Sequence, residues 1–87
     1  MEAITNEVAA LGQNIRKARR ALKLSQEELA FRSGLHRTYL SDIERGARNP
    51  SFASLLTVAR GLGTTVSELT RDIGAPLQPP GQSGPVV

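Results

Sequence analysis

The chain has 87 residues, of which 39% are hydrophobic and only three are aromatic, so it can form one small domain with a mainly aliphatic core. It contains no cysteine, which excludes a disulfide framework and thiolate metal sites and fits a reducing compartment. Its net charge is +3 at pH 7, and no apolar run resembles a membrane span or a signal peptide. We therefore expect a cytoplasmic protein without membrane contact.

The positive charge is concentrated in residues 16–48. This window holds nine Lys or Arg against four acidic residues, which leaves a net charge of +5. A basic segment of this kind is expected in a domain that binds the phosphates of nucleic acid. A soluble basic surface without any such partner would give the same count, so charge alone does not decide between them.

The first predicted helix covers residues 6–22 and follows a flexible N-terminal segment, residues 1–5. Gly12 lies inside this helix. A glycine there either destabilises the helix by about 1 kcal/mol relative to Ala or lets another backbone approach closely. Apolar residues recur along this helix at spacings of three and four, which predicts one buried stripe made of Val8, Leu11, Ile15, Ala18 and Leu22.

The central stretch, residues 25–46, predicts two short helices joined by a sharp turn. Ser25 and Glu28 have the spacing of a capping box, which begins a helix. Gly34 is suited to end that helix, because glycine adopts a left-handed conformation without strain. His36 is then the expected N-cap of a second helix, residues 37–45, which Gly46 closes.

The second of these helices has an apolar side and a polar side. Tyr39, Leu40 and Ile43 repeat at helical spacing and should face inward. The outer face could lie in the major groove of DNA and read base edges, or it could be the solvated face of an ordinary helical hairpin. Periodicity favours neither interpretation for the residues left outside, which are Arg37, Thr38, Ser41 and Asp42.

Two further helices are predicted before an uncharged tail. Ser51 can cap a helix over residues 52–62, and Thr65 with Glu68 forms a second capping-box pattern that opens a short helix to about residue 71. Residues 74–87 hold four prolines, three glycines and no charge, which predicts a flexible tail. The inward face of the fourth helix should comprise Phe52, Leu55, Leu56, Ala59 and Leu62.

These residues carry a resemblance to a known family. The pattern closely resembles the XRE-type helix-turn-helix family, which includes the phage repressors and Cro. The resemblance extends over residues 11–69 and implies an all-α, five-helix, lambda-repressor-like domain at residues 6–73. The matching positions are Gln26, Leu29, Ala30, Gly34 and Leu35, then Tyr39, Leu40, Ser41, Ile43, Glu44 and Gly46, then Asn49, Pro50 and Leu55.

The resemblance implies a function for this domain. It indicates a sequence-specific DNA-binding transcriptional regulator that occupies a pseudo-palindromic operator as a dimer, with helix 37–45 in the major groove. The run Arg37-Thr38-Tyr39-Leu40-Ser41, followed by Ile43-Glu44-Arg45, also resembles the controller proteins of restriction–modification systems. Expected partners are a double-stranded DNA operator, a second copy of the chain and RNA polymerase, which bound protein would block or recruit.

Roles at the site follow from the same resemblance. Arg19 is expected to form a buried structural ion pair with Glu44, rather than both being exposed charges. Tyr39 either packs inward or reaches phosphate. The residues expected to read bases are Arg37, Thr38, Ser41 and Asp42, and those expected to bind phosphate are Gln26, His36, Tyr39, Arg45, Arg48, Asn49 and Ser51.

The remaining expectations concern assembly and chemistry. Val66, Leu69 and Ile73 are predicted to form a dimer interface, or alternatively only to close the monomer core. With one histidine, no cysteine and no phosphate-cradling loop, the sequence predicts no enzyme, cofactor or metal. The competing function is a protein-interaction module, such as an antitoxin or adaptor, whose DNA binding is secondary.

Overall fold

Five helices follow one another along the chain. The computed structural model describes residues 5–74, so most of the two segments expected to be flexible, residues 1–5 and 74–87, lies outside it. No strand occurs between residues 5 and 74, and no helix there is long and apolar enough to cross a membrane. The predicted all-α, five-helix class is confirmed by the helices α1 (Thr5–Ala21), α2 (Gln26–Ser33), α3 (Arg37–Glu44), α4 (Phe52–Gly61) and α5 (Val66–Leu69).

The predicted start and end of α2 are both present. The Ser25 hydroxyl accepts from the Glu28 N–H at 3.0 Å, and the Glu28 carboxylate accepts from the Ser25 N–H at 2.7 Å. These hydrogen bonds to Ser25 lower the pKa of Glu28 below its usual value. Gly34 ends the helix in the left-handed region with a φ of 69°. Local sequence therefore fixes where the first helix of the central pair begins and where the turn occurs.

The second predicted capping box is only half formed. Thr65 accepts from the Glu68 N–H at 3.1 Å, as expected for the N-cap of α5. The Glu68 carboxylate instead accepts from Arg71 at 2.7 Å. The carboxylate therefore pairs with a charged residue just beyond the end of α5 and does not bind the N–H of the cap residue.

A single aliphatic core joins all five helices. α1 packs on α3, and α2 packs on both α3 and α4. α5 closes the core between α1 and α4. The largest side chains that are completely enclosed are Ile15, Leu29, Leu40, Ile43 and Val58.

Two residues assigned to inward faces are exposed, so those assignments were wrong. Leu22 is 48% exposed, because α1 ends at Ala21 and the chain turns away through Lys23 at a φ of 59°. Phe52 is 67% exposed as the first residue of α4. Val58, which the pattern did not select, is completely buried in its helix.

Gly12 allows α1 to lie directly against the end of α3. A Cβ at Gly12 would be 2.3 Å from the Ile43 carbonyl oxygen and 2.7 Å from that of Glu44, closer than any side chain tolerates. Of the two roles considered for Gly12, the structure shows the close backbone approach. This contact sets the position of α3 relative to α1 and so helps to orient the candidate site.

Candidate nucleic-acid interface

α2 and α3 form a helix-turn-helix, with three residues between them. Gly34 turns the chain, Leu35 packs against the core, and His36 is the N-cap of α3. The His36 backbone is extended as a cap requires, but its side chain makes no capping hydrogen bond. The sharp turn holds α3 against α1 and α2, so the outer face of α3 is fixed in position.

The four residues expected to read bases lie on the side of α3 that faces away from the core. Arg37 and Thr38 are exposed, and Ser41 and Asp42 are partly exposed. Positions 41 and 42 follow positions 37 and 38 by four residues, about one helical turn, so these side chains share one helix face. Together they present hydrogen-bond donors and acceptors on the outer face of a helix whose inner face is packed against α1 and α2.

Asp42 is already engaged within this face. Its carboxylate forms an ion pair with Arg45, one helical turn further along. Arg45 was expected to bind phosphate, and Asp42 was expected to face the bases. In the free protein, therefore, the one acidic group among the four base-reading candidates is bound to a candidate phosphate ligand.

The ion pair expected between Arg19 and Glu44 is present and buried. Arg19 Nε donates to Glu44 Oε2 at 2.7 Å, and Arg19 Nη2 donates to Oε1 at 3.0 Å. Arg19 Nη1 also donates to the Leu24 carbonyl at 2.8 Å. The hydrogen bonds to Glu44 raise the pKa of Arg19. The pair joins α1 to the last residue of α3.

Two further side chains converge on Glu44 that sequence reasoning did not place there. Gln26 Nε2 donates to Glu44 Oε1 at 3.0 Å, and Arg16 Nε lies 3.7 Å from the same oxygen. Arg16 precedes Arg19 by three residues and shares its helix face, so the sequence could have indicated that Arg16 also lies near Glu44. No local signal connects Gln26 with Glu44, because 18 residues separate them in the chain.

Tyr39 connects α3 to the loop that follows it. Its ring is half-buried against the core, while its hydroxyl accepts from the Ser51 N–H at 3.4 Å. The Arg48 guanidinium lies over the ring, 5.1 Å from its centroid. A hydrogen bond with Ser54 lowers the pKa of Tyr39, and the charge of Arg48 adds to this effect. Tyr39 is thus both a packing residue and an anchor for the basic loop.

The candidate phosphate ligands lie at the start of α2, on and beside α3, and in the loop that follows α3. Gln26 is partly buried at the start of α2. The others are exposed, apart from Tyr39, and lie at the start of α3 or in the residues after it: His36, Arg45, Arg48, Asn49 and Ser51. The groups expected to bind phosphate therefore flank the face expected to read bases.

The predicted dimer residues differ in how much surface they offer. Leu69 is only 3% exposed and belongs to the monomer core, where Asn14 Nδ2 donates to its carbonyl at 2.8 Å. Val66 and Ile73 are half-buried against that core. Leu69 therefore closes the monomer, and only Val66 and Ile73 keep apolar surface for a partner.

A rigid helix-turn-helix with a polar outer face and basic edges defines a DNA-binding domain. This chain belongs to the HTH_3 helix-turn-helix family, whose sequence pattern matches residues 15–69. The resemblance seen in the sequence is thereby confirmed, and the protein is a DNA-binding transcriptional regulator.

Similar proteins include control proteins of bacterial origin. The chain is 46% identical over 59 residues to control protein C.SmaI of Serratia marcescens, covering 68% of this chain and 70% of that protein. It is 44% identical over 68 residues to control protein C.BamHI of Bacillus amyloliquefaciens, covering 76% and 84%. The crystal structure of the restriction-modification controller protein C.AhdI from Aeromonas hydrophila matches with a TM-score of 0.72 and 44% identity, covering 74% and 97%.

Proposed function

We propose that this protein binds a pseudo-palindromic operator as a homodimer and controls the genes of a restriction–modification system. The observation that carries the proposal is the fixed outer face of α3. Leu40, Ile43 and Glu44 hold the inner face in the core, while Arg37 and Thr38 project from the opposite side. A helix presented in this way fits the major groove of B-DNA and can read base edges there.

Each base-reading residue has a distinct role in this proposal. Arg37 donates two hydrogen bonds to guanine O6 and N7, a contact that gives roughly 1–3 kcal/mol of discrimination. Thr38 and Ser41 donate to or accept from neighbouring bases, and Thr38 also contacts a thymine methyl group. Asp42 accepts from cytosine N4 once it leaves Arg45.

The flanking residues set the position of α3 on the duplex. Arg45 and Arg48 neutralise phosphates beyond the end of α3, and Tyr39 holds Arg48 in place through its ring. These contacts supply affinity that depends on salt but not on sequence. The remaining proposed phosphate ligands are Gln26, His36, Asn49 and Ser51.

Binding at an operator is the whole mechanism in this proposal. The bound protein blocks or recruits RNA polymerase in the cytoplasm and catalyses no reaction. The similarity to the control proteins C.SmaI, C.BamHI and C.AhdI supports the restriction–modification setting. Val66 and Ile73 contact the same residues of a second copy across a two-fold axis. This arrangement places the two α3 helices of the dimer about one turn of DNA apart.

The proposal is tested by selecting bound duplexes from a random DNA pool with the wild-type protein and with Arg37→Ala, at two salt concentrations. We expect a two-fold-symmetric site for the wild type and relaxed specificity at one position in each half-site for the variant. Arg20→Ala is a matched control, because Arg20 is an exposed Arg of α1 outside the proposed interface.

Recovery of no motif, with weak binding that disappears as salt rises, would contradict the proposal. Such binding would reflect attraction to phosphate alone. The competing function, a protein-interaction module of the antitoxin or adaptor type, would then be tested by co-purification with the products of neighbouring genes.

A further inference from the structure

Arg16 approaches a carboxylate oxygen that already accepts two hydrogen bonds. Glu44 Oε2 is taken by Arg19 at 2.7 Å, and Oε1 accepts from both Arg19 and Gln26 at 3.0 Å. Arg16 Nε lies 3.7 Å from Oε1, which is close enough for an ion pair but too far for a hydrogen bond. Within residues 5–74 the Arg16 guanidinium makes no hydrogen bond, so its N–H groups can donate to an acceptor on another molecule.

The charges around Glu44 do not balance. One carboxylate lies between two guanidinium groups, which leaves one positive charge in excess. The Glu44 side chain is completely buried and that of Arg19 is 9% exposed, whereas the side chain of Arg16 is 44% exposed. The excess charge is therefore presented to solvent at Arg16.

Gln26 connects this charge with the surface beside the start of α3. Gln26 and Arg37 line one open depression of the surface, together with Arg19, Ser25 and Glu27. Arg16 approaches the same Glu44 oxygen that Gln26 binds, so the Gln26 side chain links Arg16 to this depression. An anion held there would be close to the base that Arg37 is proposed to read.

We infer that Arg16 binds a phosphodiester group of duplex DNA and that Glu44 is the positioning residue that holds Arg16 in place for it. Gln26 completes the site, because its Nε2 group gives one N–H to Glu44 and keeps the second for the phosphate. The inference rests on the proposed DNA binding and adds to it a phosphate ligand from α1. It also gives Glu44 a second role beside its ion pair with Arg19.

The test compares Arg16→Gln with Arg20→Gln. Both substitutions remove one positive charge from α1, and Arg20 is exposed and makes no contact with Glu44. Binding to a mixed-sequence duplex and to a selected operator is measured between about 50 and 200 mM salt, and the slope of log K against log salt is determined. Thermal unfolding verifies that both variants fold.

For Arg16→Gln we expect the slope to become shallower by about 0.9 for each protomer bound, since one phosphate contact is lost. Arg20→Gln should leave the slope close to that of the wild type. Arg16→Lys keeps the charge and should retain most of the slope. An unchanged slope in Arg16→Gln, or an equal loss in both Gln variants, would overturn the inference.

A double-mutant cycle tests the positioning role of Glu44. If Glu44 holds Arg16 in place, Glu44→Gln alone should reduce the slope, and adding Arg16→Gln should reduce it little further. Fully additive losses would contradict this role, and if Glu44→Gln does not fold, the Arg16 variants still decide the phosphate contact. Failure of the proposed function would look different, because the wild type would then select no operator whatever the Arg16 variants do.

Discussion

Glu44 is a charged residue in the core, and its environment leads to a prediction about stability. Arg19→Met leaves the Glu44 carboxylate buried without its principal partner, which should destabilise the fold by roughly 3–5 kcal/mol. Urea unfolding measures the change. Arg20→Met, on the exposed side of the same helix, should alter the free energy of unfolding by less than about 0.5 kcal/mol.

The double variant Arg19→Met/Glu44→Leu separates a stranded charge from lost packing. Replacing both ions by apolar side chains should recover much of the loss, because no unpaired carboxylate remains buried. Equal stabilities for Arg19→Met and Arg20→Met would show that the pair contributes nothing beyond a surface contact.

Asp42 should limit binding to DNA of the wrong sequence. It neutralises Arg45 in the free protein and places a negative charge on the proposed groove-facing side of α3. Asp42→Asn should therefore bind a mixed-sequence duplex more tightly and with a steeper salt dependence, while its preference for the operator falls. Fluorescence anisotropy with both duplexes measures the two affinities.

Glu68→Gln is a suitable control for Asp42→Asn. Glu68 also pairs with an arginine three residues further along the chain, Arg71, but this pair joins α5 to the residues just after it and is not on α3. If both variants tighten non-specific binding equally, the effect is one of net charge and not of the position of Asp42.

At the scale of elements, the contact between α1 and α3 depends on the missing side chain of Gly12. Gly12→Ala improves helix propensity by about 1 kcal/mol, yet its Cβ would meet the Ile43 carbonyl oxygen at 2.3 Å. We expect a net destabilisation of about 1–3 kcal/mol, since the two helices must move apart. Gln13→Ala, at an exposed position of α1, should be neutral or stabilising. A stabilised Gly12→Ala would mean that α3 can shift freely.

The cap of α2 should make stability depend on pH in the acid range. The folded pKa of Glu28 is lowered by its hydrogen bonds to Ser25, so its stabilising effect is complete above the unfolded value of 4.5. This contribution is lost as pH falls through the lowered folded pKa. Glu28→Gln should flatten that part of the stability curve, and Glu27→Gln, which leaves both hydrogen bonds between Ser25 and Glu28 in place, is the control for the two possible outcomes. Unfolding midpoints measured below pH 5 decide between these outcomes.

These elements also show what the sequence can predict. Helix ends were readable at Ser25 and Gly34, because caps depend on residues only a few positions apart. The exposed Phe52 and Leu22 were misassigned, since periodicity gives a face but not the point where the core stops. The contact from Gln26 to Glu44 could not be inferred, because only tertiary packing brings those two residues together. The approach of Arg16 to Glu44 could have been inferred from its position three residues before Arg19 on the same helix face.

At the scale of the whole molecule, the proposed dimer depends on a small apolar surface at α5 and just beyond it. Ile73→Glu should place a charge at the proposed two-fold interface while leaving Leu69 in the core. We expect a monomer by analytical ultracentrifugation and weak binding to a symmetric operator. Phe31→Glu, on the 87%-exposed phenylalanine of α2, is the control and should not change the oligomeric state. A wild-type protein that is monomeric both free and on DNA would contradict the interface.

One side of α3 packs in the core and the other is exposed, and this separation bears on how such regulators diversify. Arg37 and Thr38 are exposed, whereas Leu40, Ile43 and Glu44 are buried and keep the helix in place. Substitutions at positions 37 and 38 can therefore redirect the protein to a new operator with little penalty in folding. The product of a duplicated gene could in this way come to bind a different operator from the parent protein in the same cell, while its fold stays unchanged.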